Sequence, residues 1–90
     1  MQTKEILVRY LILAMRTPQF QQSVVDAHKH FLARLKADGV LELAGPFTDK
    51  SGGAYIISAK DLETAQAIAF NDPVHTSGSS KVSVYEWNAG

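Results

Sequence analysis

The stretch ILVRYLILAM, from Ile6 to Met15, is apolar on both alternating sets of positions and includes β-branched and aromatic side chains. A strand with one wet face shows apolar residues at every second position, so a run apolar on both parities has to be covered on both faces. Helices of the same chain can supply one cover. A chain of 90 residues has no further layer for the other, so the pattern predicts a partner subunit packed against the sheet. The run is too short for a membrane span, which needs about 20 apolar residues. It carries Arg9 and lacks a small-residue cleavage site before Pro18, so it does not read as a secretory signal.

The rest of the chain supplies the elements around that strand. Thr17-Pro18 is a helix start signal and Asp38-Gly39 a stop, and together they predict a helix of roughly twenty residues. Val40 to about Gly45 reads as a second strand, TDKSGG as a turn-rich connection, and AYIISA as a third strand forming a hairpin with the second. Asp61 can cap a second helix, LETAQAIAFN, with Leu62, Ala65, Ile68 and Ala69 on one face and Asp72 on the same side a turn later. Pro73 disfavours helical geometry at Asp72, so that helix is expected to end there. TSGSS reads as loop, and KVSVYEW as a last strand with Val82 and Val84 on one face and Tyr85 and Trp87 on the other. The order βαββαβ predicts one α+β domain over residues 1–90, a ferredoxin-like four-stranded antiparallel sheet with both helices on one face.

Charge and sulfur content narrow the function. Nine basic and nine acidic residues are scattered singly, so no basic stripe exists to follow a phosphate backbone, and nucleic acid is not an expected partner; nor is a membrane. The absence of cysteine removes disulfides, thiolate nucleophiles and sulfur-ligated metals, and is compatible with a reducing cytoplasm.

Within DAHKHFLARL, residues 26–35, one side chain is out of place. At 100° per residue, Val24, Val25, Phe31, Leu32 and Leu35 fall within about 60° of His28, whereas His30 lies about 160° away. His28 is therefore expected to face the core and His30 solvent. His28 is either a satisfied core histidine or a functional one, and in both cases it needs a partner, because an unsatisfied buried polar group costs about 1–3 kcal/mol. Asp72, also on a core-facing side, is the best candidate; its alternative reading is a turn-former before Pro73.

Other arrangements are weaker. A metal site from His28, His30 and His75 is disfavoured because a His-x-His pair diverges on a helix and no third ligand has convincing spacing. Ser51, Ser77, Ser79 and Ser80 lie in glycine-bearing loops with no nucleophile-elbow context. Arg9 either pairs with a carboxylate such as Glu42 or Glu86 or meets an anionic ligand.

His28 on its helix, DGVLELAGPF with Gly39, Gly45 and Pro46, and NDPVHTSG at residues 71–78 together resemble the YCII-related (YciI-like) domain family over nearly the whole chain. The resemblance implies a dimeric α+β barrel, in which the sheets of two subunits pack face to face. It implies enzymatic roles for a histidine and an aspartate, carried over to His28 and Asp72. The family includes a dehydrochlorinase of chlorinated hydroxyhydroquinone breakdown, and its fold is similar to muconolactone isomerase and to cofactor-free monooxygenases. Val74, His75, Thr76 and Ser77 depart from the aromatic and small apolar residues usual after the Asp-Pro, which bears on the substrate's shape.

The expectation is a cytoplasmic homodimeric enzyme that needs no metal or organic cofactor. His28 acts as general base or acid, and Asp72 fixes its tautomer. Elimination or isomerisation of a small cyclic or aromatic compound suits such a pair, with Arg9, Tyr10, Phe31 and Phe47 as candidate substrate contacts. The alternatives are a module that binds a small metabolite without chemistry and a bare dimerisation domain.

Overall fold

The computed structural model describes residues 6–89. The first strand, β1 (Val8–Arg16), lies inside a four-stranded sheet whose other members are β2 (Leu41–Pro46), β3 (Gly52–Ala59) and β4 (Ser80–Glu86). The strand order is β2-β3-β1-β4, and each neighbouring pair is antiparallel. Two helices, α1 (Val25–Ala37) and α2 (Leu62–Ala69), and a short third, α3 (Pro73–Thr76), complete the chain. The architecture is α+β and ferredoxin-like. No helix among the described residues is long and apolar enough to cross a membrane.

Alternation along β1 sorts the two faces of the sheet. Tyr10, Ile12 and Ala14 are buried and stand opposite Ile57, Tyr55 and Gly53 of β3. They share the core with Phe31 of α1, Ala65 and Ala69 of α2, and Val74 of α3, so all the helices cover this one face. The other parity, Leu11 and Leu13, stands opposite Ile56 and Ala54 on one side and Tyr85 and Ser83 on the other. That second face is uncovered: Leu43 is 65% exposed and Tyr85 53% exposed. The run apolar on both parities thus has one buried face and one open face.

Asp61 and Gly39 act as the sequence predicts. Asp61 Oδ1 accepts from the Thr64 amide at 2.8 Å and caps α2. Gly39 adopts φ 75°, and the turn after α1 closes with the Val40 amide on the Leu35 carbonyl at 2.9 Å. Two glycines at the start of β3 lengthen that strand beyond AYIISA, because a Cβ on Gly52 would collide with the Ala14 carbonyl and one on Gly53 would sit 2.8 Å from the Gly45 carbonyl. Only glycine lets the three backbones approach this closely.

Two expected boundaries are corrected. The first helix does not start at Thr17-Pro18; a single 3₁₀ turn, Gln22–Val24, precedes α1, which has 13 residues rather than about twenty. The Thr17 hydroxyl donates to the Gly78 carbonyl at 2.7 Å, and its amide donates to the Ser79 carbonyl at 3.0 Å. Those bonds tie residues 17–21 to the segment before β4, and Gln21 stays extended. The second helix ends at Ala69, not Asp72. Asp72 is extended at φ −63° and ψ 132° and caps α3, accepting from the Val74 amide at 3.0 Å with Pro73 in the first turn. The Asp-Pro pair opens a helix instead of closing one. TSGSS is likewise not all loop, since Thr76 ends α3 and Ser80 begins β4.

Candidate active site

His28 projects from the second turn of α1 toward the sheet, and the cap of α3 brings Asp72 beneath it. His28 Nδ1 lies 2.8 Å from Asp72 Oδ1 and 2.9 Å from Oδ2. Proline at the first position of α3 holds Asp72 extended, which turns its side chain back toward the α3 amides and the ring.

Asp72 has no solvent exposure. A carboxylate taken out of water needs donors in place of its hydration shell. It finds three: the Val74 amide, the Tyr55 hydroxyl at 3.1 Å and His28 Nδ1. Burial, followed by the charge of Asp72 and the bond to it, pushes the Tyr55 hydroxyl well above the ordinary tyrosine range, so it stays protonated and donates. An ionised carboxylate only accepts, so the proton on the neutral imidazole belongs on Nδ1. The other nitrogen, Nε2, is left with a free lone pair, and no hydrogen bond among the described residues engages it.

His28 keeps 23% of its side chain exposed, and what it faces is a cavity of about 290 Å³. Val25 and Leu32 of α1 form one wall and the backbone of Gly45, Gly52 and Gly53 another, with Tyr55 and Val74 nearby. Arg16, Phe20 and Lys29 line the rest. The arrangement places an imidazole with a defined tautomer beside a space large enough for a small ring compound.

The substrate contacts expected from the sequence do not line this cavity, whereas Ser80, at the start of β4, does. Arg9 has the parity of the open face, and its Nε pairs with Glu42 Oε1 at 2.9 Å. Tyr10 is on the helix side but nearer the other end of β1, where its hydroxyl reaches Glu86 Oε1 at 3.4 Å. Phe31 is packed in the core, and Phe47 lies just past β2, partly exposed. Of the other histidines, His30 is exposed and His75 stacks on Phe70 with ring centroids 4.7 Å apart. Among the described residues no three metal-ligating side chains gather into a site.

Tyr55, Arg16 and Lys29 are the residues that sequence reasoning missed. Tyr55 carried a usable signal. Alternation in AYIISA puts it on the same face as Ile57, and a tyrosine there needs an acceptor for its hydroxyl.

The YCII-related domain family matches residues 8–88. The uncharacterized protein YjpA of Bacillus subtilis strain 168 is 49% identical over 78 residues, covering 87% of this chain and 92% of that protein. Among solved structures, 5-chloro-2-hydroxyhydroquinone dehydrochlorinase from Burkholderia phenoliruptrix AC1100, in complex with 2,5-dihydroxybenzoquinone, aligns with a TM-score of 0.71 at 22% identity over 91% of this chain and 95% of that one. At that identity the likeness is one of fold. A dimeric protein of unknown function and ferredoxin-like fold from Bacteroides fragilis NCTC 9343 aligns with a TM-score of 0.48 at 16% identity over 90% of this chain and 96% of that one. The family match runs from the first residue of β1 to beyond the end of β4, and a relative is identical at nearly half the aligned positions; the chain belongs to the YCII-related domain family.

Proposed function

We propose that the protein is an enzyme in which His28 abstracts a proton from a small cyclic or aromatic compound held in the cavity, leading to elimination or isomerisation. The observation that carries this reading is the bond from His28 Nδ1 to the buried Asp72 carboxylate at a residue that lines the cavity; on this reading Asp72 holds the proton on Nδ1 and leaves Nε2 for the substrate. The Nε2 lone pair takes the proton, and the electron pair left on the substrate forms a new double bond. In an elimination the leaving group departs with its bonding pair, so the net change is loss of HX. In an isomerisation the imidazolium returns the proton to a different atom. Asp72 stabilises the imidazolium formed between those steps.

A general base of this kind accelerates a reaction by about 10²- to 10⁴-fold. Orientation within the cavity supplies a further contribution. The dehydrochlorinase that shares the fold is described in complex with a small quinone, which supports a ring compound as substrate. Asp72 takes the role of orienting group. A homodimer formed through the open sheet face belongs to the same proposal, since the exposed Leu43 and Tyr85 would there be covered. The cysteine-free composition suits a cytoplasmic location.

The test incubates a panel of small hydroxylated and chlorinated ring compounds in D₂O with wild type and His28→Gln, following proton exchange and product by NMR. Exchange or turnover by wild type, lost in His28→Gln with the fold retained, supports the proposal. Equal rates in the two proteins, or none in either across the panel, count against it.

A further inference from the structure

Resting on the acid–base reading of the His28 cavity, we propose that its substrate is an anion, a small ring bearing an ionised oxygen, and that Arg16 and Lys29 bind that oxygen. The parity of β1 is the first observation. Arg16 continues the set Tyr10, Ile12 and Ala14, opposite Ser80 of β4, so it projects on the helix-covered side of the sheet and lines the cavity. Lys29 follows His28 on α1 and lines the same space.

The second observation is charge. No Asp or Glu is among the residues lining the cavity, and among the described residues neither Arg16 nor Lys29 has an ion-pair partner within 4.0 Å. Asp72, the carboxylate against His28, is buried and already shared among Tyr55, Val74 and His28. Elsewhere Arg9 is matched by Glu42. Two unmatched cations at one concave, partly apolar site attract an anion more strongly than the same charges on an open surface.

The third observation is that Arg16 is held in place. Its guanidinium carbon lies 4.0 Å from the centroid of the Phe20 ring, and Phe20 belongs to the segment tied down through Thr17. The stacking reduces the rotamer freedom that a binding arginine would otherwise lose. Where a helix was expected, the chain makes a turn at residues 18–19, closed by the Phe20 amide on the Thr17 carbonyl at 3.0 Å, before an extended Gln21, and Phe20 on that path lines the cavity with Arg16. Beside a base that removes a proton, two cations also stabilise the negative charge that appears on the substrate.

Benzoate and 4-nitrophenolate, with benzamide as a neutral ring of the same size, test the proposal by NMR titration of the ¹⁵N-labelled protein. Both anions are expected to shift the Arg16, His28 and Lys29 signals and to bind about tenfold more tightly than benzamide, with affinity falling as salt is raised. One anion binding without the other identifies the oxygen as carboxylate or phenolate. Arg16→Gln and Lys29→Gln are each expected to weaken anion binding several-fold and leave benzamide unchanged. Both side chains are exposed, so the fold should survive, as thermal melting checks. Benzamide binding as tightly as the anions, unchanged anion affinity in both variants, or no detectable binding of either anion at millimolar concentration overturns the inference. The two readings fail separately. His28-dependent turnover of a neutral compound in Arg16→Gln would sink the anion site alone, and cation-dependent anion binding without His28-dependent turnover would sink the catalytic reading alone.

Discussion

Nδ1 of His28 sits almost equidistant from the two oxygens of Asp72, at 2.8 and 2.9 Å, across 44 positions of sequence. The carboxylate also receives the Tyr55 hydroxyl and the Val74 amide, so the ring is oriented by a group that is itself fixed from two other elements. Because each member restrains the next, substitutions here separate chemistry from folding.

Asp72→Asn keeps the volume but lets the amide NH₂ face the ring, which permits the opposite tautomer. Turnover is expected to fall by about 10²- to 10⁴-fold. Substrate affinity is expected to change little, so the loss should appear in kcat, measured beside a thermal melt to confirm folding.

Tyr55→Phe removes one donor from a fully buried carboxylate. The expected cost is about 1–3 kcal/mol at neutral pH, read from denaturant unfolding. The alkaline limb carries a further signature. The folded-state pKa of Tyr55 is raised, chiefly by burial and then by Asp72, so its share of stability is complete below about pH 10, where an unfolded tyrosine ionises, and is lost as pH rises beyond that. The stability gap between wild type and Tyr55→Phe is therefore expected to narrow from pH 9 to pH 11. Tyr10 is raised in the same direction by burial and Glu86 and remains in both proteins, so some alkaline loss persists in the variant.

Gly52→Ala places a Cβ 2.9 Å from the Met15 Cα and against the Ala14 carbonyl, where only backbone can give way. Overpacking of this kind costs about 2 kcal/mol, which in a domain of this size lowers Tm by roughly 10 °C in a melting experiment.

The open face makes a prediction about assembly. Leu43→Glu combined with Tyr85→Glu puts charge where two sheets would meet, while both side chains stay in water in a single chain. Light scattering is expected to find a dimer for wild type and a monomer for the double variant. A wild-type monomer at all concentrations would remove the dimer from the account.

Much of this was legible from residue order, and the exceptions have physical causes. His28 stood out because helical periodicity is local, and its need for a partner follows from burial alone. Asp72 was reachable as that partner although it caps α3 instead of ending α2, because in either place it lies at the same junction before Pro73. At Thr17-Pro18 the hydroxyl does accept the Gln19 amide at 3.1 Å, but only a turn follows, and the residue is tied through its hydroxyl and amide hydrogens to Gly78 and Ser79, 61 and 62 positions away, contacts that no local pattern announces. The setting of Arg16 was invisible for the same reason, since Phe20, on which it stacks, lies on that segment. Lys29 stands next to His28 in the sequence, but nothing local shows that the cavity opens toward it.

One proton decides how His28 can act, and ¹⁵N NMR of its ring observes that proton directly. In the neutral imidazole the hydrogen is expected on Nδ1 with Nε2 bare, and Asp72→Asn is expected to mix or reverse the two forms. A wild-type ring carrying its hydrogen on Nε2, or one whose nitrogen signals are the same with and without Asp72, would contradict that expectation.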